Sequence, residues 1–392
     1  MATTYVIGAG ASRHAKYPLA SEMGKGLIEF MLGTDQPPFA RIQAQSLIEQ
    51  FGPDPNIEEV VTELGLRIKS DKAAGVPADL SPVSPGNLRG WIGTWLREWF
   101  RQIHTGTAAA YAAFAERLAQ PGDVIITFNY DDSLERELKL TGKWDVSDGY
   151  GFPFATPTRS SEVLILKLHG SMNWLWPVPF LGQRPLIHRA DLEHLGYSDF
   201  TDFTGHLYEN GGAIPCLILP DREKKFFYDT SFGIECREFW DCLWAQATDA
   251  VKRSQRLVLC GYSLLPVDQR ACDLLLNEPR KETHITVISG DQSGRIVADF
   301  RDAGFQNVDA FDNGFFEDWV RREIDLMEQT IEQKYASTGH PSIGELKLAQ
   351  GTIPTSDPRE LIGDFWPEEE NIDDFLAALR EWRGHIETDQ AA

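Results

Sequence analysis

Short apolar runs that end in glycine or polar turns alternate along this chain with longer stretches whose apolar residues recur every three or four positions. Thr3 to Ile7 reads as a buried strand closing in a glycine turn. Pro18 to Gly33 carries Leu19, Met23, Leu27 and Phe30 at helical spacing. Asn56 stands where an N-cap would, ahead of a helix with Ile57, Val60, Val61, Leu64 and Ile68 on one face. Pro, Gly and Ser over residues 75–87 predict a loop. Leu88 to Leu118 reads as helix again, with Trp91, Trp95, Trp99 and Phe100 as core-facing bulk.

The alternation then tightens. Asp123 to Phe128 predicts a strand with a helix from about Asp132, and Glu162 to Leu168 a further strand. Residues 177–213 read as irregular, Cys216 to Leu219 as a short strand and Phe232 to Arg253 as a helix. Strands at Arg256 to Cys260 and His284 to Ser289 each precede a helix, Val267 to Asn277 and Ser293 to Ala303. Phe315 to Lys334 predicts a last long helix. The implied fold class is α/β: a Rossmann-like parallel sheet covered by helices on both faces. A helical insertion is expected over about residues 20–120, within a main domain spanning 1–335. Residues 336–392 change character. There Phe365, Trp366, Ile372, Phe375, Leu376, Leu379 and Trp382 suggest an acidic C-terminal helical tail that docks on the main domain or on a partner.

Composition narrows the function classes. A net charge of −22 argues against direct contact with nucleic acid or an anionic membrane. The five cysteines are odd in number and lack CxxC spacing, so neither a disulfide framework nor a zinc ribbon is expected. Free thiols fit a reducing cytoplasm. The N-terminus does not read as a signal peptide, and no apolar run reaches the ~18 residues of a membrane span.

Four polar segments each follow a predicted strand. Val6 to Ser12 (VIGAGAS) places two glycines where a backbone can approach a pyrophosphate, with Arg13 at the position of a third. The others are Thr127 to Asp131 (TFNYD), Lys167 to Ser171 (KLHGS) and Gly261 to Asp268 (GYSLLPVD). Ligand crevices of open α/β sheets lie at the carboxyl ends of strands, so all four point to one rim. Asn129 and Asp131 also stand where helix caps would, and His169 where a polar turn residue would.

In this order the segments resemble the sirtuin superfamily over roughly residues 3–312. GAGAS looks like its first dinucleotide turn, TFNYD its Thr-x-Asn-x-Asp motif, LHGS its catalytic His-Gly motif and GYSLLPVD its Gly-x-Ser loop. The family's zinc ribbon has no counterpart, nor does its Phe-Gly-Glu loop near Cys216 to Asp221. In these departures, and in the helical insertion, the chain resembles the bacterial antiphage-defence branch that hydrolyses NAD.

That resemblance implies a cytoplasmic NADase, NAD as substrate, no metal and release of nicotinamide and ADP-ribose. It also implies a homo-oligomer and, as partner, an ATPase of the HerA type or another defence protein. Residue by residue, it implies that Asn129 positions water and the ribose hydroxyls. His169 is the general base, with an ordinary imidazole pKa of ~6.5 suited to the task. Asp131 orients Asn129 or holds the nicotinamide end. Gly8, Ala9, Gly10 and Ser12 surround the pyrophosphate, and Gly261 and Ser263 reach phosphate or ribose from the facing loop. Asp291 accepts from the adenosine ribose, or serves its helix. Asp268 reads as a helix cap after Pro266, and His14, His104 and His188 as surface residues. The alternatives are an NAD-dependent deacylase and a non-catalytic module binding NAD or ADP-ribose. Nicotinamide release without acyl-lysine peptide separates the first reading from both.

Overall fold

Strands with apolar side chains on both faces must be covered twice, and here they collect into one sheet between helices. The computed structural model describes residues 3–77, 79–103, 108–155, 160–177, 184–209, 212–222, 236–311 and 314–337. Two compact units divide the chain, Met1–Met327 and Glu328–Ala392, and the second is described only over residues 328–337, which are helical. The tail residues from Phe365 to Trp382 lie outside the described residues.

In chain order the first unit begins with β1 (Thr3–Ile7), followed by a 3-10 turn (Ala9–Ala15). Then come α1 (Ala20–Leu32), α2 (Pro38–Phe51), α3 (Ile57–Ala73), α4 (Pro85–Ile103) and α5 (Ala109–Ala113). All five lie between β1 and β2 (Val124–Thr127). α6 (Ser133–Leu140) and β3 (Leu164–Lys167) follow, and then β4 (Gly170–Pro177), β5 (Leu186–His188), α7 (Arg189–His194), β6 (Leu207–Tyr208) and β7 (Ala213–Leu217). The chain continues through α8 (Arg237–Arg253), β8 (Arg256–Cys260), α9 (Gln269–Asn277), β9 (His284–Ile288), α10 (Ser293–Asp302), β10 (Val308–Ala310) and α11 (Phe316–Ser337).

Six strands form a parallel sheet in the order β10-β9-β8-β1-β2-β3, flanked by helices. This is the α/β, Rossmann-like class that the alternation predicts. The chain leaves β1 toward β2 and β3 on one side and later returns to β8 on the other. The crevice between β1 and β8 is therefore the topological switch point. Register levels the strand ends: Ile7 faces both Thr127 and Cys260, Thr127 faces Lys167, and Cys260 faces Ile288. The turns after β1, β2, β3, β8 and β9 consequently start at one height.

Several expectations change. Residues 177–213 are not simply irregular. They supply β5, α7 and β6, and with β4 and β7 a second sheet of order β6-β5-β4-β7. In β4 every residue from Gly170 to Trp176 is buried, polar Ser171 and Asn173 included, so its polar positions mark no solvent face. α2 was not anticipated. The single helix expected from Leu88 to Leu118 is not continuous, since α4 ends at Ile103 and α5 passes into a π-helical turn, Phe114–Leu118. Trp95 and Phe100 are core residues as expected, whereas Trp91 is 38% exposed. Asn56 caps α3 as expected, accepting from the Glu58 and Glu59 amides at 2.9 and 3.3 Å. Among the described residues no helix is long and apolar enough to cross a membrane.

Candidate active site

The loops after β1 and β8 are packed backbone to backbone. The Gly8 amide donates to Cys260 O at 2.9 Å, Gly10 to Gly261 O at 3.0 Å, and Gly261 to Ile288 O at 2.7 Å. A Cβ on Gly8 would sit 2.5 Å from Gly261 O, and one on Gly10 2.8 Å from Gly261 Cα. Gly261 also has φ +62, and its Cβ would meet Ala11 N at 2.2 Å. These glycines are thus needed for two loops to touch, whether or not a phosphate lies beside them. Gly261→Ala should separate the loops, since neither the left-handed conformation nor the space admits a side chain. The expected result is a stability loss of about 2 kcal/mol or more in thermal denaturation.

Asn129 follows β2 and turns its side chain back onto the first loop. Its Nδ2 donates to Gly8 O and to Ser12 Oγ, both at 3.0 Å. Ser12 Oγ donates to Asp131 Oδ2 at 2.8 Å. Because that spends the one hydroxyl proton, Tyr111 must be the donor in its 2.8 Å contact with Ser12 Oγ. Burial holds the Tyr111 phenol well above its ordinary pKa, which keeps it a donor. Ser12 is therefore saturated by protein groups, and so are both Asn129 amide protons. This alters two expectations. The Ser12 hydroxyl is committed to Asn129, Asp131 and Tyr111 rather than offered to a pyrophosphate. Asn129 retains only its Oδ1, an acceptor, for a ligand. Asp131 Oδ1 also accepts the Ser133 amide at the start of α6 at 3.2 Å, so the carboxylate reaches Asn129 only through Ser12.

A buried lysine fixes this segment from behind. Lys167, fully buried at the end of β3, donates from Nζ to the Asp131 carbonyl and to Glu135 Oε1, the latter at 2.7 Å. Burial pushes the Glu135 carboxyl up to about 7, against the pull of Lys167. Tyr150 donates to the same Glu135 oxygen at 3.3 Å and accepts from Asn173 at 3.0 Å.

His169 lies between β3 and β4. The turn there needs Gly170, with φ +87 and a virtual Cβ 1.9 Å from Cys216 O. The imidazole packs edge-on against Phe128 with centroids 4.9 Å apart, and Phe128 stacks on Tyr262 at 4.3 Å. His169 Nε2 is 3.3 Å from Asp268 Oδ2. Asp268 is not the side-chain cap that its position before α9 suggested, because its carboxylate makes no cap bond. Tyr262 Oη donates to Asp268 Oδ2 at 3.2 Å instead. The loop between them holds buried Leu264 at φ +45, a strained conformation for a branched side chain, and Arg295 of α10 donates to the carbonyls of Ser263 and Leu264.

These loops enclose a cleft of ≈ 450 Å³ at the carboxyl rim. Gly8, Ala9, Gly10, Ser12, Asn129, Asp131, His169, Gly261 and Ser263 all line it. Asp291 does not. The 3-10 turn Gly290–Gln292 directs Gln292 into the cleft and leaves Asp291 exposed. Tyr262, Asp268, Ser289 and Gln292 are lining residues that sequence reasoning passed over, and Tyr111 acts on the site through Ser12. Arg13 is the one arginine or lysine among the described lining residues. His14 is not a surface residue: it packs on Tyr111 and Phe316 at 4.7 and 5.9 Å, and desolvation lowers its pKa. His188 accepts the Ala190 amide as the N-cap of α7, and His104 lies outside the described residues. Among the described residues no cluster of three His, Cys, Asp or Glu could hold a metal.

No family model and no curated protein matches the chain. Solved structures with similarity include Sir2Tm bound to a propionylated peptide, 13% identical over 83% of this chain and 93% of that one, with TM-score 0.35. A structure concerned with the mechanism and regulation of Sir2 enzymes is 13% identical over 84% and 93%, with TM-score 0.39. A Sir2 with p53 peptide and NAD+ is 14% identical over 83% and 93%, with TM-score 0.37. In the cleft of this chain a carboxamide, an imidazole and a paired carboxylate from three separate loops face the switch point of a parallel sheet.

Proposed function

We propose that the cleft takes NAD and that the chain hydrolyses its nicotinamide–ribose bond, as an antiphage-defence effector held in check until it assembles or meets a partner. The observation that carries this reading is the convergence of Asn129 and His169 on one cleft against the glycine loops. Its size falls within the range of cofactor pockets. Arg13 is the residue to face the pyrophosphate, and Ser289 and Gln292 are the polar groups the β9 loop offers to a ribose.

The chemistry asks little of an acid, because nicotinamide leaves as a neutral group from a cationic ring. It asks for an oriented water and a base. Asn129 Oδ1 accepts a hydrogen bond from that water and turns its lone pair toward the anomeric carbon. His169 takes a water proton as the new C–O bond forms and the C–N bond breaks. NAD and water thus become nicotinamide, ADP-ribose and a proton. Asp131 works through Ser12, which it holds against the Asn129 amide.

Incubation with NAD tests the reading. Nicotinamide and ADP-ribose should form in equal amounts with no peptide present, in the full chain or in its assembly with a HerA-type ATPase or another defence protein. Nicotinamide that appears only on addition of an acyl-lysine peptide would make the chain a deacylase. Tight NAD binding without turnover in every assembly would make it a binding module. A solution mass that stays monomeric under all conditions, partners included, would remove control by assembly.

A further inference from the structure

We propose that Asp268 is a positioning residue for His169, fixing the imidazole proton on Nε2 and leaving Nδ1 as the basic nitrogen. The catalytic half of this statement rests on the NAD-cleaving reading of the cleft. The tautomer half rests on geometry alone.

An aspartate just before a helix ordinarily accepts from the amides of the first turn and stabilises the helix. Asp268 occupies that position ahead of α9 and makes no such bond. Its carboxylate turns into the cleft. There Oδ2 takes the Tyr262 O–H at 3.2 Å and stands 3.3 Å from His169 Nε2. The two side chains are nearly buried, at 11% exposure for His169 and 8% for Asp268. An ionised carboxylate only accepts, so at this distance a proton on the facing imidazole nitrogen is favoured over a lone pair there, which leaves the lone pair of the neutral ring on Nδ1.

Both partners are held. The imidazole packs on the edge of Phe128, Phe128 stacks on Tyr262, and Tyr262 bonds to Asp268. The β8–α9 loop is strapped by Arg295 and contains the left-handed Leu264. When Nδ1 takes a proton from water, the resulting imidazolium faces a carboxylate already in place. No reorganisation is needed at that moment.

Among the described residues, the charged and titratable groups lining the cleft with the imidazole are Asp268 and Tyr262 from the β8–α9 loop, Glu58 from α3, Tyr130 and Asp131 from the β2–α6 loop, Arg13 from the first loop and Tyr17 just ahead of α1. Burial, then Asp268, hold Tyr262 well above its ordinary pKa, so it remains a donor through neutral pH. Among the described residues Asp268 is the carboxylate within ion-pair distance of the ring, and its negative charge favours the imidazolium.

Two measurements on the full chain test this. In 15N NMR of the histidine-labelled protein without substrate, neutral His169 should carry its proton on Nε2. A proton on Nδ1 would overturn the proposal. In the second, Asp268→Asn keeps a good helix-cap residue and should fold, as circular dichroism will report. Its kcat for nicotinamide release should fall about 100-fold or more, as expected when a base loses the group that fixes its tautomer. The acid limb of its kcat/KM profile should move about one unit lower in pH, because the imidazolium has lost a neighbouring negative charge. Asp268→Glu should restore part of both. An unchanged kcat and limb in Asp268→Asn would also overturn the proposal. If the wild type releases no nicotinamide in any assembly, the NAD reading fails by itself, and the 15N result decides the role of Asp268.

Discussion

Replacing Asn129 by alanine should lower nicotinamide release from NAD by about a thousandfold while the protein still melts cooperatively. That factor corresponds to roughly 4 kcal/mol in the barrier. It matches the loss of one preorganised polar group aimed at a reacting centre. Both amide protons of Asn129 are already given to Gly8 O and Ser12 Oγ, so the side chain cannot swing. Alanine removes the one remaining acceptor and frees Ser12 at the same time. The two lost hydrogen bonds should cost about 1–3 kcal/mol of stability, tolerable for a large core. Asn129→Asp should be no better. It brings a second carboxylate beside Asp131 and sets an acceptor against the Gly8 carbonyl. The assay is product release at saturating NAD beside a thermal melt. Turnover within tenfold of wild type in a folded Asn129→Ala protein would remove Asn129 from the chemistry.

The second large effect is on stability. Lys167→Met should destabilise the fold by about 3–5 kcal/mol, the usual penalty for leaving one partner of a buried ion pair alone. Lys167 is fully buried and Glu135 nearly so, and the same ammonium also holds the Asp131 carbonyl. The sign of the pH dependence follows from Glu135. Its folded carboxyl sits up at about 7, against 4.5 when unfolded, so the unfolded chain releases its proton first as pH rises. Stability from this group is present below 4.5 and declines as pH climbs through the folded value. Without Lys167 the carboxyl is held higher still, and the decline between about pH 5 and pH 8 steepens. Urea unfolding at those two pH values reads the difference. Lys167→Met with Glu135→Leu, which removes both charges, should recover most of the loss. An equal slope in wild type and single variant would show that Glu135 does not ionise across this range.

Periodicity alone placed β1, β8 and β9 almost to the residue. Their apolar runs are short, flanked by turns and buried on both faces, so local pattern and final environment agree. The same agreement set the α/β class and put the four polar segments on one rim, because parallel strands end where the motif residues begin. That Asn129 and His169 would line one cleft was legible for that reason. Each follows a strand directly, and strand register carries it to the cleft.

What the sequence left open depends on contacts between segments far apart in the chain. β4 shows no solvent-facing side, since its polar Ser171 and Asn173 are buried with the rest and bond to Tyr130 O and Tyr150 Oη, at a distance no local window contains. Ser12 looked available to a phosphate until Tyr111, Asn129 and Asp131 all closed on it. Asp268 looked like a cap because its helix is the next element along the chain, but His169 and Tyr262 compete for it in space. Asp291 and Gln292 share one 3-10 turn, and only its orientation on the sheet decides which reaches the cleft. Sequence thus determined which residues stand at the strand ends, since that is a matter of local backbone. Tertiary structure alone decided where their hydrogen bonds go, since each donor has a fixed number of protons to give and several partners from elsewhere in the chain to give them to.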